Sequence, residues 1–501
     1  MKNLYLIYCF LFLSIAPLSS QKTDLNQLSL NRLPAALTEL KSFLAIPNDA
    51  VNAEDIDNNI LWLTGAFQKR KFITEVLQTA GTPLFYAERR FKNADRTILF
   101  YMHFDGQPVD PSEWDQPDPY NAVLKARKGG KFEEISWDTI NGAVDPEWRI
   151  FGRSSSDDKG PIVMLLAAID ILDNDLSGTS KTNIKIILDG EEEKSSPQLS
   201  AVVPKYKNKL ASDIMIINDG PVHLSGKPTL IFGCRGLQEV TITVFGPRTQ
   251  QHSGHYGNYA PNPAFALAEL LASMKDEEGQ VLIPGFYDDI IFTAEDLRVM
   301  RNVPETEEMI NKTIGIAEPE KVGRFYQESL QYPSLNVRGM QSGYIGEQAR
   351  TIVPEKAVAS FDIRLVPESD PVRLTRLLKA HIIQEGYYVI DRDPTEKERL
   401  TQARIVKFQT GGLTMPFRTE INSGSGVWLN KVLKDTFGDD PVIIRIMGGS
   451  VPIAPFINEL KVPSVIVPMV NSDNNQHGPN ENLRIGNFVY GIKVFLALMI
   501  N

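Results

Sequence analysis

The chain has 501 residues, 42% of them hydrophobic and 23% charged, with a formal net charge of −10. That composition belongs to a globular protein long enough for two domains. Its acidity argues against nucleic acid or an anionic membrane surface as a partner. The opening residues 1–20, MKNLYLIYCFLFLSIAPLSS, join an early Lys2 to an apolar stretch from Leu4 to Ile15, then Pro17, Ser19 and Ser20. This pattern predicts a secretory signal peptide, hence a secreted or periplasmic protein. The apolar stretch is too short to cross a bilayer, so no membrane anchor is expected. Cys9 lies in the signal, which leaves Cys234 alone, without an intramolecular disulfide partner or a thiolate cluster.

Along the rest of the chain, Thr97–Tyr101, Asn183–Leu188, Ile214–Ile217 and Ser464–Val467 are short continuous apolar runs. Helical stretches over 161–172 and 488–500 separate or follow them. The pattern predicts an α/β domain with a mostly parallel sheet covered on both faces. The middle differs. Val240, Ile242 and Val244 alternate with Thr241 and Thr243, and Ala357, Ala359, Phe361, Ile363 and Leu365 alternate with polar or small neighbours. That period of two marks half-exposed strands and an α+β domain, placed at 237–414 and inserted between 21–236 and 415–501. The segment Lys125 to Trp148, rich in Gly, Lys and Glu, reads as a surface insertion.

Acids and histidines gather where the predicted strands end. Thr97–Tyr101 runs into MHFDG, with His103 and Asp105 two apart on one face of the extended chain. GRSSSDDKGP sets Asp157 and Asp158 before a helix, DGEEEKSSPQ follows Asn183–Leu188, NDGP with Asp219 follows Ile214–Ile217, and NSDNNQHGPNEN with His477 follows the last run. Each feature alone has an ordinary reading: a solvated charge run, a helix cap, a turn residue. In an open α/β sheet, however, the carboxyl ends of the strands converge on one crevice. Carboxylates and imidazoles without thiolates suit Zn²⁺, and also Mn²⁺ or Co²⁺. Several convergent acids suit a pair of cations, which offset their mutual repulsion.

The ordered set HFD, GRSSSDDKGP, DGEEEKSS, ND, QHSGHYG, RLVP, MGGSVP and HGPNE resembles the M20 metallopeptidases. The resemblance is strongest to their dipeptidase branch, that of the cytosolic nonspecific and carnosine dipeptidases. It covers nearly all of the chain after the signal. It implies a zinc-exopeptidase-like catalytic domain with an inserted lid and dimerisation domain, a homodimer, and two divalent metal ions. His103, Asp157 and Asp219 would hold one ion; Asp157, Glu193 and His477 would hold the other. Glu192 would be the general base acting on a metal-bridging hydroxide, a shift of frame to Glu191 and Glu192 being the alternative. Otherwise Glu191 is a solvated spare. Asp105 would orient His103. His252 would reach across the dimer to the oxyanion of the partner's substrate. Arg364, the arginine of RLVP, would grip the substrate carboxylate with Gly448, Gly449 and Ser450, and Thr351 would add a weaker contact. His223, His255 and His381 match no motif and read as surface residues.

Some positions depart from the family pattern. Ser154 stands where a glycine is usual, Lys194-Ser195 where a residue and glycine follow the acid pair, and Tyr120 where Phe is expected. None removes a ligand or the base. The implied function is a secreted exopeptidase acting on dipeptides or short peptides. The alternatives are an N-acyl amino acid hydrolase or carboxypeptidase of the same family and, from another class, an inactive binding protein.

Overall fold

The computed structural model describes residues 24–176 and 178–501. The segment read as a signal peptide, 1–20, lies outside the described residues. An eight-stranded sheet runs in the order Ile73–Leu77, Leu84–Arg89, Thr182–Asp189, Arg96–His103, Ile214–Ile217, Ser464–Ile466, Thr229–Ile231, Val442–Ile444. Its centre is parallel, and antiparallel pairs join Leu84–Arg89 to both its neighbours. The apolar runs are continuous because both faces of these strands are covered. Ile98, Phe100 and Met102 point into one core with Ile184 and Ile186, while Leu99 and Tyr101 point into the other with Ile187. Helix Lys159–Asp175 packs on the first face between helices Leu25–Leu44 and Ile485–Ile500. Helices Leu199–Leu210 and Ala454–Leu460 cover the second.

Parallel register is what builds the site. Tyr101 pairs with Ile217 and His103 with Asp189, so three adjacent strands stop at the same level and release their following loops to one edge.

A second sheet, Ser334–Ser342, Lys356–Leu365, Gly236–Phe245, Ile405–Thr414, Tyr388–Ile390, lies between Gly236 and Tyr388–Thr414 in sequence. Its inner side chains, Val240, Ile242, Val244, Phe361 and Ile363 among them, pack on Leu267 and Leu270 of helix Pro263–Ala272 and on Leu374 and Leu378 of helix Pro371–Gln384.

Two expectations are corrected here. The segment after Lys125 is not merely a surface insertion. Val123–Lys128 and Lys131–Glu134 form a hairpin in an antiparallel sheet with Arg149–Phe151 and Asn482–Arg484, with Lys125 and Ile140 buried. His381 and His223 are buried as well. His381 lies on the same helix face as Leu374 and Leu378, and its Nε2 is 2.8 Å from the Ser273 hydroxyl. His223 accepts the Ser225 N–H through Nδ1 and lies 3.4 Å from Glu305. His255 is exposed, its ring 4.8 Å from that of His252.

Candidate metal centre

His103 ends its strand with the imidazole 1% exposed. Its Nε2 lies 2.8 Å from Asp157 Oδ1, and its Nδ1 lies 3.3 Å from Asp105 Oδ1. Asp157 belongs to the loop between strand Arg149–Phe151 and helix Lys159–Asp175. Asp219 sits two residues past Ile214–Ile217, and Glu193 lies in the single helical turn Glu192–Lys194 after Thr182–Asp189. His477 comes from the loop after Ser464–Ile466; its Nε2 is 3.2 Å from Asp157 Oδ2 and 3.4 Å from Glu193 Oε2. Donor atoms therefore assemble in two sets, His103–Asp157–Asp219 and Asp157–Glu193–His477, each with atoms within 4.8 Å of one another and sharing Asp157. Glu193, and not Glu192, is the acid beside His477.

The electrostatics are those of a site built for cations. Burial, then the neighbouring Asp157 charge, pushes Glu193 up to about 7 and Asp219 up to about 6. Burial also raises Glu192 well above the carboxylate range, and the charges of Asp219, Glu193 and Asp157 add to the shift against the opposing pull of His103. Burial alone would lower His103, but its hydrogen bonds to Asp105 and Asp157 outweigh that and hold it well above the usual imidazole value. His477 rises to about 9, first through its bond to Asp157. Among the described residues, the buried Glu193 Oε1 has no hydrogen-bond partner. A crowd of acids with an unused buried acceptor, two imidazoles and no thiolate fits divalent cations of the Zn²⁺, Mn²⁺, Co²⁺ type. Cys234 is buried in the core on the second face of the sheet.

Asp105 is fully buried and accepts the main-chain N–H groups of Glu192 and Glu193, each at 3.1 Å. Glu191 is half-buried. Ser154 holds φ +62°, the left-handed region that favours glycine, at the position where glycine is usual. A Cβ at Gly106 would collide with the Ser154 hydroxyl, which Asn48 also contacts, so these loops meet backbone to side chain.

Around the opening, Arg364 donates through Nη1 to the Ser450 hydroxyl at 3.1 Å, and that hydroxyl donates to the Arg235 carbonyl. Gly448 is half-buried and Gly449 exposed beside them. His252 is exposed and caps the turn Ser253–Tyr256 by accepting the Gly254 N–H, while the Thr351 carbonyl accepts the Ser253 N–H. The structure thus brings His252 and Thr351 together. Among the described residues, no hydrogen bond or ion pair joins either of them to the acid–imidazole cluster.

Three polar residues here escaped the sequence reading. Gln107 donates to Glu193 Oε2 at 2.7 Å, and no motif marks it. Glu481, the last residue of HGPNE, receives the loop that carries Asp157, and the motif by itself gives it no role. Arg235 is buried beside Arg364, and burial together with that like charge lowers its guanidinium to about 10.

Comparison with known proteins bears on the fold and on the family the chain resembles. The profile of a peptidase dimerisation domain matches residues 232–388. The Cys-Gly metallodipeptidase dug1 of Schizosaccharomyces pombe is 28% identical over 419 residues, 80% of this chain and 78% of that protein. The human Beta-Ala-His dipeptidase is 26% identical over 434 residues, 83% of this chain and 77% of that protein. Among solved structures, an M20 family metallo-carboxypeptidase from Sulfolobus solfataricus superimposes with a TM-score of 0.73 at 29% identity, covering 92% of this chain and 98% of its own.

Proposed function

This chain resembles the M20 metallopeptidases, the dipeptidase branch above all, and from that premise we propose that it is a metal-dependent exopeptidase hydrolysing dipeptides or short peptides. The observation that carries the reading is the pair of donor sets sharing Asp157 at the carboxyl edge of the parallel sheet. His103, Asp157 and Asp219 would hold one divalent cation and Asp157, Glu193 and His477 a second. Such ions polarise an amide carbonyl and acidify water.

The chain's own residues supply the rest. Glu192 lies on the same turn as Glu193 but outside both donor sets; with the cations favouring its charged form, it would take the proton of the attacking water and return it to the leaving amine. Asp105 fixes the orientation of His103 and of the Glu192–Glu193 turn. Arg364 and Ser450, already in contact, offer a charged donor and a hydroxyl to the free carboxylate of the substrate, with Gly448 and Gly449 leaving the approach open. Thr351 would add a contact to the bound peptide. The dimerisation-domain match supports a homodimer, in which His252 of the partner subunit would stabilise the developing oxyanion. The leader-like residues 1–20 support export to the periplasm or beyond, and the N-terminus of the mature protein, read by mass spectrometry, tests it.

A second reading is favoured by the likeness to a metallo-carboxypeptidase: removal of C-terminal residues from longer chains with the same centre. Product analysis separates the readings. The protein lacking its leader, loaded with Zn²⁺ or Mn²⁺, is incubated with dipeptides, longer peptides and N-acyl amino acids, with and without chelator. Chelator-sensitive cleavage of unblocked dipeptides supports the first reading. Stepwise loss of C-terminal residues from long peptides supports the second, and cleavage of acylated amino acids alone overturns both in favour of an acylase. Metal binding without any cleavage would leave a binding protein.

A further inference from the structure

Glu481 is fully buried, and its carboxylate is surrounded by donors from a single loop. Oε2 accepts from Arg153 Nη1 and from the Ser154 N–H, both at 2.9 Å. Oε1 accepts the Ser156 N–H and hydroxyl at 2.9 Å and the Asp157 N–H at 3.0 Å. The main-chain carbonyl of Glu481 also accepts the Gly152 N–H. From Gly152 to Asp157 the loop therefore hangs on one residue, which sits four positions after His477 in the other ligand-bearing loop. Both loops need such a hold. Ser154 and His477 are non-glycine residues at φ +62° and +64°, a conformation that persists only where the surroundings fix it. Arg149 strengthens the junction by donating to Asn482 Oδ1 and Asp473 Oδ2.

We propose that Glu481 is a positioning residue that sets the shared ligand Asp157 in register with His477. The inference rests on reading the two donor sets as metal sites. It makes an asymmetric demand. Only the set Asp157–Glu193–His477 draws on both loops that Glu481 joins; the set His103–Asp157–Asp219 draws on one of them and on two strand ends. Loss of the carboxylate should therefore weaken one metal site far more than the other. Glu481→Gln is a sharp probe, because a carboxamide has one accepting end and donors face both oxygens of Glu481.

The full mature chain and its E481Q variant would be stripped of metal and titrated with Co²⁺, following heat and the visible absorption of the bound ion, with circular dichroism confirming the fold. Wild type should take up both equivalents. E481Q should keep one near wild-type affinity and lose roughly tenfold or more on the other, with a changed absorption band. A purely structural role would lower the melting temperature and leave both affinities equal to wild type, and that result overturns the proposal. Should E481Q fail to fold, R153M and S156A each remove one donor to the same carboxylate. Both should weaken the same equivalent, and unchanged affinities in both would overturn it. A wild-type protein that binds no metal defeats the reading of the donor sets themselves, a result distinct from any of these.

Discussion

Oδ2 of Asp105 accepts the main-chain N–H of Glu193 at 3.1 Å, binding the end of one strand to the acid-rich turn after its neighbour. Its Oδ1 accepts the Glu192 N–H and faces Nδ1 of His103. One buried carboxylate thus contacts an imidazole and the main chain of two successive acids. In Asp105→Asn the amide must turn its NH₂ toward at least one of these donors, so metal affinity or turnover should fall by about 10- to 100-fold. Metal content and kcat measured side by side test this, and a fully active, fully loaded Asp105→Asn protein removes the orienting role.

On the proposed mechanism, Glu192→Gln isolates proton transfer. Glu192 lies outside both donor sets, so the variant should retain both metals by elemental analysis while kcat drops by about 10²- to 10⁴-fold. If Glu192→Gln turns over normally and Glu191→Gln does not, the base belongs one residue earlier in the acid run.

The sequence exposed whatever depended on periodicity or on loops following parallel strands. Ile98, Phe100 and Met102 face one core and Leu99 and Tyr101 the other, so a strand buried on both sides shows as an unbroken apolar run. Because Tyr101, His103, Ile217 and Asp189 share a register, acids after different strands could be expected to meet. Partnerships between distant polar residues left no such trace. Glu481 meets Arg153 across 328 positions and Gln107 meets Glu193 across 86, and none of these side chains is unusual in its local sequence. The buried His381 shows only through its helical spacing from Leu374 and Leu378, and the hairpin from Val123 is hidden by its charged residues, two of which lie over aromatic rings, Lys125 over Phe151 and Arg127 over Phe132.

Arg364→Met should raise KM for substrates with a free C-terminal carboxylate by roughly tenfold or more, the usual weight of a hydrogen bond to a charged group. Substrates amidated at the C-terminus should be nearly indifferent to the change. Equal losses on both substrate types would show that Arg364 supports the Ser450 loop and does not read the carboxylate.

Cys234 is fully buried, and burial pushes its thiol up to about 12. The native protein should therefore resist maleimide or Ellman reagent at neutral pH, and one equivalent should react only after denaturation of the protein lacking residues 1–20. Rapid labelling of the native protein would place Cys234 on a mobile or exposed surface.

Without metal, rising pH should destabilise the protein. Burial raises Glu193 to about 7 and Asp219 to about 6, while His477 rises to about 9 chiefly through its bond to Asp157. A folded-state value above the unfolded one means that the native state holds more protons, so stability present at low pH is lost as pH climbs through the folded value. The acids act from roughly pH 4 to 7 and His477 from roughly pH 6.5 to 9, all in the same direction. Asp157 has the opposite sign, because bonds from His103 and His477 outweigh its burial and lower it, but its loss of stability falls in strong acid, outside this window. Lys159, lowered by burial, also has the opposite sign, and because it lies outside both donor sets the comparison with metal-loaded protein cancels its contribution. The melting temperature of chelator-treated protein should therefore drop by a few degrees between roughly pH 5.5 and 8.5. Cations compete with those protons for the same oxygens and nitrogens, so the gain in melting temperature on adding Zn²⁺ or Mn²⁺ should grow over the same interval. A metal-free protein whose melting temperature stays level or climbs through that interval would mean that these acids are not crowded together in the folded chain.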